Sequence, residues 1–342
     1  MKKIKTALLP LHIIALTMIC ILLYSIPVMA GWVVLQENDP AIRDYMSVFF
    51  TGEKTGWVVG SASFEDYENP GLIGFTLDGG KTWNRSELRL ESDLTDLYFL
   101  DEEHGWAVGQ NGLIANTTNG KDWDLQVSKV PGVALTNTYF INEKIGFAVG
   151  ENETILSTRN GGRQWKVLKG GQPGSGIGDD DTSMFNSVQF LDEKTGYIVG
   201  IRVLPVAKKQ QSVIMKTEDG AQTWTSQETG QEDILEDIYM LNKNVGWAVG
   251  ENGIVLHTKN GGAMWERQES GTEETLRSVS FVSEKVGFAV GGELGVGVII
   301  TTVDGGKTWV VEGTRQKMMK VQALNNKHVW LAGSTGLIMK SE

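Results

Sequence analysis

Carboxylates and carboxamides recur along this 342-residue chain in one local setting. Asp78, Asn160, Asp219, Asn260 and Asp304 each stand five residues before a tryptophan (Trp83, Trp165, Trp224, Trp265 and Trp309), and Asn119 stands four before Trp123. Two carboxylates facing one another across a cleft can hydrolyse a glycosidic bond, one as acid and the other as nucleophile or base. A repeated turn position argues for a different use. The Asx oxygen accepts hydrogen bonds from nearby backbone N–H groups, and the glycines that follow it take φ values other residues avoid. These acids, amides and tryptophans are therefore expected to hold turns, and no catalytic residue is expected among them.

Other chemistry-bearing residues are scattered. His12, His104, His257 and His328 fall at unrelated positions, which does not suggest a zinc cluster. Asp179, Asp180 and Asp181 follow a glycine-rich run and are weak candidates for Ca²⁺, but three adjacent acids without spaced oxygens read as a solvated turn. No metal and no cofactor are expected. Arg89, Arg202, Lys208, Lys209 and Arg315, with the aromatic Phe64 and Tyr67, lie near loop-like stretches and form a candidate partner-binding set, because arginine offers bidentate recognition of carboxylates.

The elements that must position these groups follow from a second signature, Gly-aromatic-x-Val-Gly. It spans Gly56 to Gly60, Gly105 to Gly109, Gly146 to Gly150, Gly196 to Gly200, Gly246 to Gly250 and Gly287 to Gly291, with a degenerate copy at Val329 to Gly333. Short runs of alternating apolar residues precede each copy, such as Val48 and Phe50 or Leu97 and Phe99, and period two over short runs is a strand signal. Four strands per unit and units of about 40 residues read as a β-propeller. The second signature occurs seven times and the turn tryptophan six, and Trp32-Val33-Val34-Leu35-Gln36 resembles the strand that follows each turn tryptophan. The expected fold is all-β: a seven-bladed propeller of four-stranded antiparallel blades, its last blade closed by the N-terminal strand at Trp32.

The turn signature resembles the aspartic-acid-box repeat of sialidases and other propellers, where these turns hold the fold. A sialidase would also need three clustered arginines, a Tyr–Glu pair and an Arg-Ile-Pro stretch, none of which is recognisable here. Paired with the second signature, as in Phe99 to Gly109 and Asp304 to Trp309, the repeat resembles the photosystem II stability and assembly factor family over residues 32–342. That resemblance implies an exported seven-bladed propeller that acts non-covalently in assembling membrane protein complexes, with no reaction of its own. The competing class is a glycan-binding or glycan-hydrolysing propeller.

Residues 1–30 carry Lys2, Lys3 and Lys5, an apolar run from Ala7 to Tyr24, and Val28-Met29-Ala30 as a small-residue cleavage pattern. They are expected to be a signal peptide or N-terminal anchor, followed by a single domain over 31–342 outside the cytoplasmic membrane. The only cysteine, Cys20, lies in this run, so the domain is expected to hold together without disulfides. A formal charge of -11 makes nucleic acid a poor partner. A protein partner, from a membrane complex, and a monomeric ring are the expectation. The loops 61–70, 170–181 and 203–210 should emerge on one face, opposite the aspartate turns.

Overall fold

The computed structural model describes residues 31–63, 69–172, 183–204, 209–293 and 295–342. These build seven four-stranded antiparallel sheets. Six run in chain order from the innermost strand to the outermost, over 42–85, 94–126, 135–169, 184–227, 235–268 and 276–314 (blades 1 to 6). Blade 7 takes three strands from the C-terminal part of the chain, Met318–Asn325, His328–Gly333 and Leu337–Ser341, and its outermost from Trp32–Gln36. The register pairs Trp32 with Ser341, Val33 with Lys340 and Val34 with Met339, so the ring closes as the repeat count requires.

Both glycines of the second signature answer to close approaches. At the start of every innermost strand the pairing slips by one residue, as between Leu94 and Asp96 or Leu235 and Asp237, a bulge repeated in all seven blades. The last signature glycine lies against that bulge: a Cβ on Gly109 would run into the Asp93 carbonyl, and one on Gly250 into that of Ile234. The first signature glycine lies beneath a ring. A Cβ on Gly105 would strike Phe99, and one on Gly287 would strike Phe281.

That ring is the centre of each blade-to-blade contact. Phe99 of blade 2 stacks on Trp57 of blade 1 at 3.7 Å and meets its own turn tryptophan, Trp123, edge-on at 5.7 Å. The arrangement recurs as Trp106–Phe140–Trp165, Phe147–Phe190–Trp224, Trp247–Phe281–Trp309 and, across the closing junction, Trp330–Phe50–Trp83. Polar ends tie the same junctions. Trp57 Nε1 donates to the Gly120 carbonyl (2.6 Å), Trp106 Nε1 to that of Gly161 (3.1 Å) and the Tyr197 hydroxyl to that of Gly261 (3.1 Å). The two signatures are thus bonded to each other, the aromatic of one blade against the turn of the next.

Trp330→Ala removes both the stack on Phe50 and the indole of the closing junction, and should cost about 3–5 kcal/mol in urea unfolding. Deleting residues 32–36 should do more than a five-residue loss elsewhere, broadening the transition because an unpaired edge replaces the closed ring. A variant that unfolds with wild-type midpoint and slope would contradict this account of closure.

Candidate functional site

Directly after the bulge, each innermost strand carries one polar residue, Ser47, Asp96, Asn137, Ser187, Asp237, Ser278 and Lys320, and all but Ser47 and Ser278 line the central channel. They join across blades. Asp96 accepts from Ser47 Oγ (2.8 Å), Asn137 Nδ2 (2.8 Å) and the Thr138 N–H (3.1 Å). Asp237 accepts from Ser187 Oγ (2.7 Å), the Ile238 N–H (2.9 Å), Ser278 Oγ (2.9 Å) and the Val279 N–H (3.1 Å). Lys320 Nζ lies 3.6 Å from Asp96. Burial pushes the Asp96 carboxyl above its usual range, against the pull of Lys320 and the Thr138 N–H. Burial also disfavours the Lys320 ammonium, but the fields of Asp96 and Asp237 outweigh it and hold the lysine charged. Carboxylates saturated by three and four donors fasten blades together rather than offering a free lone pair to a substrate.

Below the belt, Phe49, Tyr98, Tyr139 and Tyr239 line a central cavity of about 320 Å³, with Phe49 and Tyr98 centred 5.3 Å apart and Tyr98 and Tyr139 4.6 Å apart. Where this tier carries glutamine, the side chain binds the next blade's backbone. Gln189 accepts from the Met240 N–H (2.5 Å) and donates to its carbonyl (3.2 Å), and Gln322 does the same at Phe50. Sequence reasoning missed the belt. Its signal was a polar residue just before the alternating apolar pair in every unit, concealed by the bulge that breaks period two.

The aspartate turns bond inward. Asp78 accepts from the Thr82 N–H (2.9 Å), the Thr82 hydroxyl (2.7 Å) and the Thr76 hydroxyl (2.8 Å), and Asp219 and Asp304 repeat the pattern with Thr223 and Thr308. Asn119, Asn160 and Asn260 cap the equivalent N–H groups of Asp122, Gln164 and Met264. The Thr82 and Thr223 hydroxyls hold Asp78 and Asp219 down at about 2.

On the opposite face, the basic candidates are spread around the ring. Arg89 lies exposed in the connection from blade 1 to blade 2, Arg315 exposed in that from blade 6 to blade 7, and Arg202 in blade 4. Arg202 is engaged: its Nε donates to Glu153 of blade 3 at 2.5 Å, and Lys169 pairs with the same carboxylate. The two cations hold Glu153 below the usual range although burial opposes them. The excursion expected over 203–210 is in part a continuation of a strand pair, which runs to Leu204 opposite Lys209. Phe64, Tyr67, Lys208 and the acids Asp179, Asp180 and Asp181 lie outside the described residues. Among the described residues no cluster of histidine, cysteine and acidic side chains is built to hold a metal ion.

The family model described as photosynthesis system II assembly factor YCF48 matches residues 179–271. The chain is similar to the photosystem II assembly-factor propellers. Two solved YCF48 structures superpose on it, one described as bound to D1 peptide and one from Cyanidioschyzon merolae. Each has a TM-score of 0.68 and 17% identity; the first covers 91% of this chain and 96% of its own, the second 92% and 99%. A Niastella koreensis GH74 enzyme shares the fold at 12% identity and TM-score 0.65, over 89% of this chain and 53% of that one. At these identities the superpositions establish the propeller fold. A search of curated proteins returned no match.

The lowered values of Asp78 and Asp219 fix a pH dependence. A group whose pKa is depressed on folding adds stability above its unfolded value, near 4, and that stability is lost as pH falls toward about 2. The thermal midpoint should drop between pH 4 and pH 2, and an Asp78→Asn/Asp219→Asn double variant should show a shallower drop. Parallel profiles for the two proteins would place the acid sensitivity elsewhere.

Proposed function

We propose that the chain is an exported, non-catalytic scaffold that binds a partner from a membrane protein complex through the face opposite its aspartate turns. The observation that carries this reading is the family-model match over residues 179–271, together with a similar propeller described as bound to D1 peptide. Three structural features agree with it. The acids at the repeat turns are consumed by turn hydrogen bonds. Both channel carboxylates are consumed by the belt. The flanks of the three loops expected on one face, at Ser63 and Asn69, Gln172 and Ser183, and Leu204 and Lys209, belong to strand-two-to-three or blade-to-blade connections and so share one face. Loops on a rigid frame are where recognition residues usually lie. Arg89, Arg315, Lys208, Lys209, Phe64 and Tyr67 are the proposed contacts, with Arg202 acting through its pair with Glu153. Residues 1–30 supply the export signal or anchor, and residues 31–342 the single domain.

Affinity capture from the membrane fraction of the source cells, using residues 31–342 as bait, tests the assignment. An Arg89→Glu/Arg315→Glu variant, or one with 64–68 and 205–208 replaced by short glycine turns, should bind the recovered partner at least about tenfold more weakly, or 1.4 kcal/mol. Undiminished binding by both variants would reject this face.

A further inference from the structure

The junction between blades 3 and 4 differs from the junctions on either side of it at two facing positions. In blades 2, 4 and 5 the residue three beyond the turn tryptophan is a glutamine (Gln126, Gln227 and Gln268) beside the next blade's turn, whereas blades 1, 6 and 7 carry Ser86, Glu312 and Leu35 there. Gln126 Nε2 donates to the Gly161 carbonyl (3.0 Å) while its Oε1 accepts from Trp165 Nε1 (3.0 Å), and Gln268 Nε2 donates to the Gly305 carbonyl (2.9 Å). In blade 3 that position is Leu168. The facing turn in blade 4 carries Ala221 where most units have glycine, at φ 68, a conformation costly for a residue with a Cβ. The two changes are sterically compatible. At Gly162 and Gly306 a Cβ would collide with the bridging glutamine, so alanine at the blade 4 turn requires its absence, although Leu35 leaves no such room at Gly80 of the closing junction.

A groove of about 780 Å³ lies at this junction, between the outer strands of blades 3 and 4. Leu168 and Met215 give it an apolar floor. Trp224 lines it, and its indole N–H is buried without a hydrogen-bond partner. Trp123, Trp265 and Trp309 also leave this N–H unpartnered, with Gln227 and Gln268 beside the glycines of the latter two turns. Arg159 and Lys166 flank the groove, exposed and without an ion pair among the described residues, in a chain of net charge -11. The bordering strand, Trp165–Lys169, has five residues, roughly 16 Å at 3.3 Å per residue.

We propose that this groove binds an extended acidic segment of a protein, about five residues long. An apolar side chain of the segment lies on Leu168 and Met215 beside the Trp224 indole, and flanking carboxylates pair with Arg159 and Lys166. A bare polyanion would leave the apolar floor uncovered, and an uncharged apolar segment would leave the cations unmatched. The site lies between blades on the outer rim, apart from the loop-bearing face, and stands or falls independently of it.

The test uses residues 31–342 and a capped pentapeptide alternating glutamate and leucine, followed by calorimetry and by the indole N–H resonance of Trp224, assigned through its loss in Trp224→Phe. The peptide should bind and shift that resonance, and affinity should fall as salt rises. Arg159→Glu/Lys166→Glu changes only exposed side chains and should weaken binding at least tenfold. Leu168→Gln/Ala221→Gly rebuilds the bridge seen at Gln126 and should have a similar effect while keeping or raising the thermal midpoint. The Arg89→Glu/Arg315→Glu protein should bind this peptide normally. An unmoved Trp224 resonance at millimolar peptide, equal binding of a lysine–leucine peptide, or undiminished binding by Arg159→Glu/Lys166→Glu would overturn the proposal.

Discussion

The structure depends on a ring held on three sides. In most blades a phenylalanine ends the innermost strand, rests on the first signature glycine of its own sheet, stacks beneath the aromatic of the preceding sheet and meets a turn tryptophan edge-on. A four-stranded sheet has two faces to cover and no helix to cover them with, so this sandwich supplies the missing layer and links consecutive sheets. Both glycines of the signature, the identity of its aromatic and the position of the turn follow from that packing. Blade 5 replaces the phenylalanine with Met240, whose flexible side chain fills the same place over Gly246 beneath Tyr197.

The repeat made the architecture legible because its glycines are constrained by atoms in contact. Gly109 and Gly250 are fixed by a carbonyl, a constraint that recurs in all seven units, and Gly105 and Gly287 by a ring, a constraint that recurs in five. Trp32 was legible for a related reason: a unit lacking its outer strand implies a strand elsewhere. The polar belt was harder to read. Its residues vary from serine to aspartate, asparagine and lysine, and a bulge shifts them out of the alternation that marks a strand. What unites them is position, since a hydroxyl on one blade serves a carboxylate on the next.

Charge on the loop-bearing face was the least legible feature. Arg202 looks like a free cation in sequence, and its partner Glu153 lies 49 residues away in the preceding blade. Leu168 and Ala221 look like ordinary drift in a repeat until the glutamine bridges of two other junctions are set beside them. Departures matched in pairs across a junction carry information that a consensus erases.

Closure by Trp32–Gln36 also sets the timing of assembly. The strand translated earliest among those described must wait, unpaired, for the one translated last, so the circle cannot seal until its final residues are available. A prematurely terminated chain would keep an open seam flanked by two lone strand borders, a form that proteases can distinguish from the finished ring.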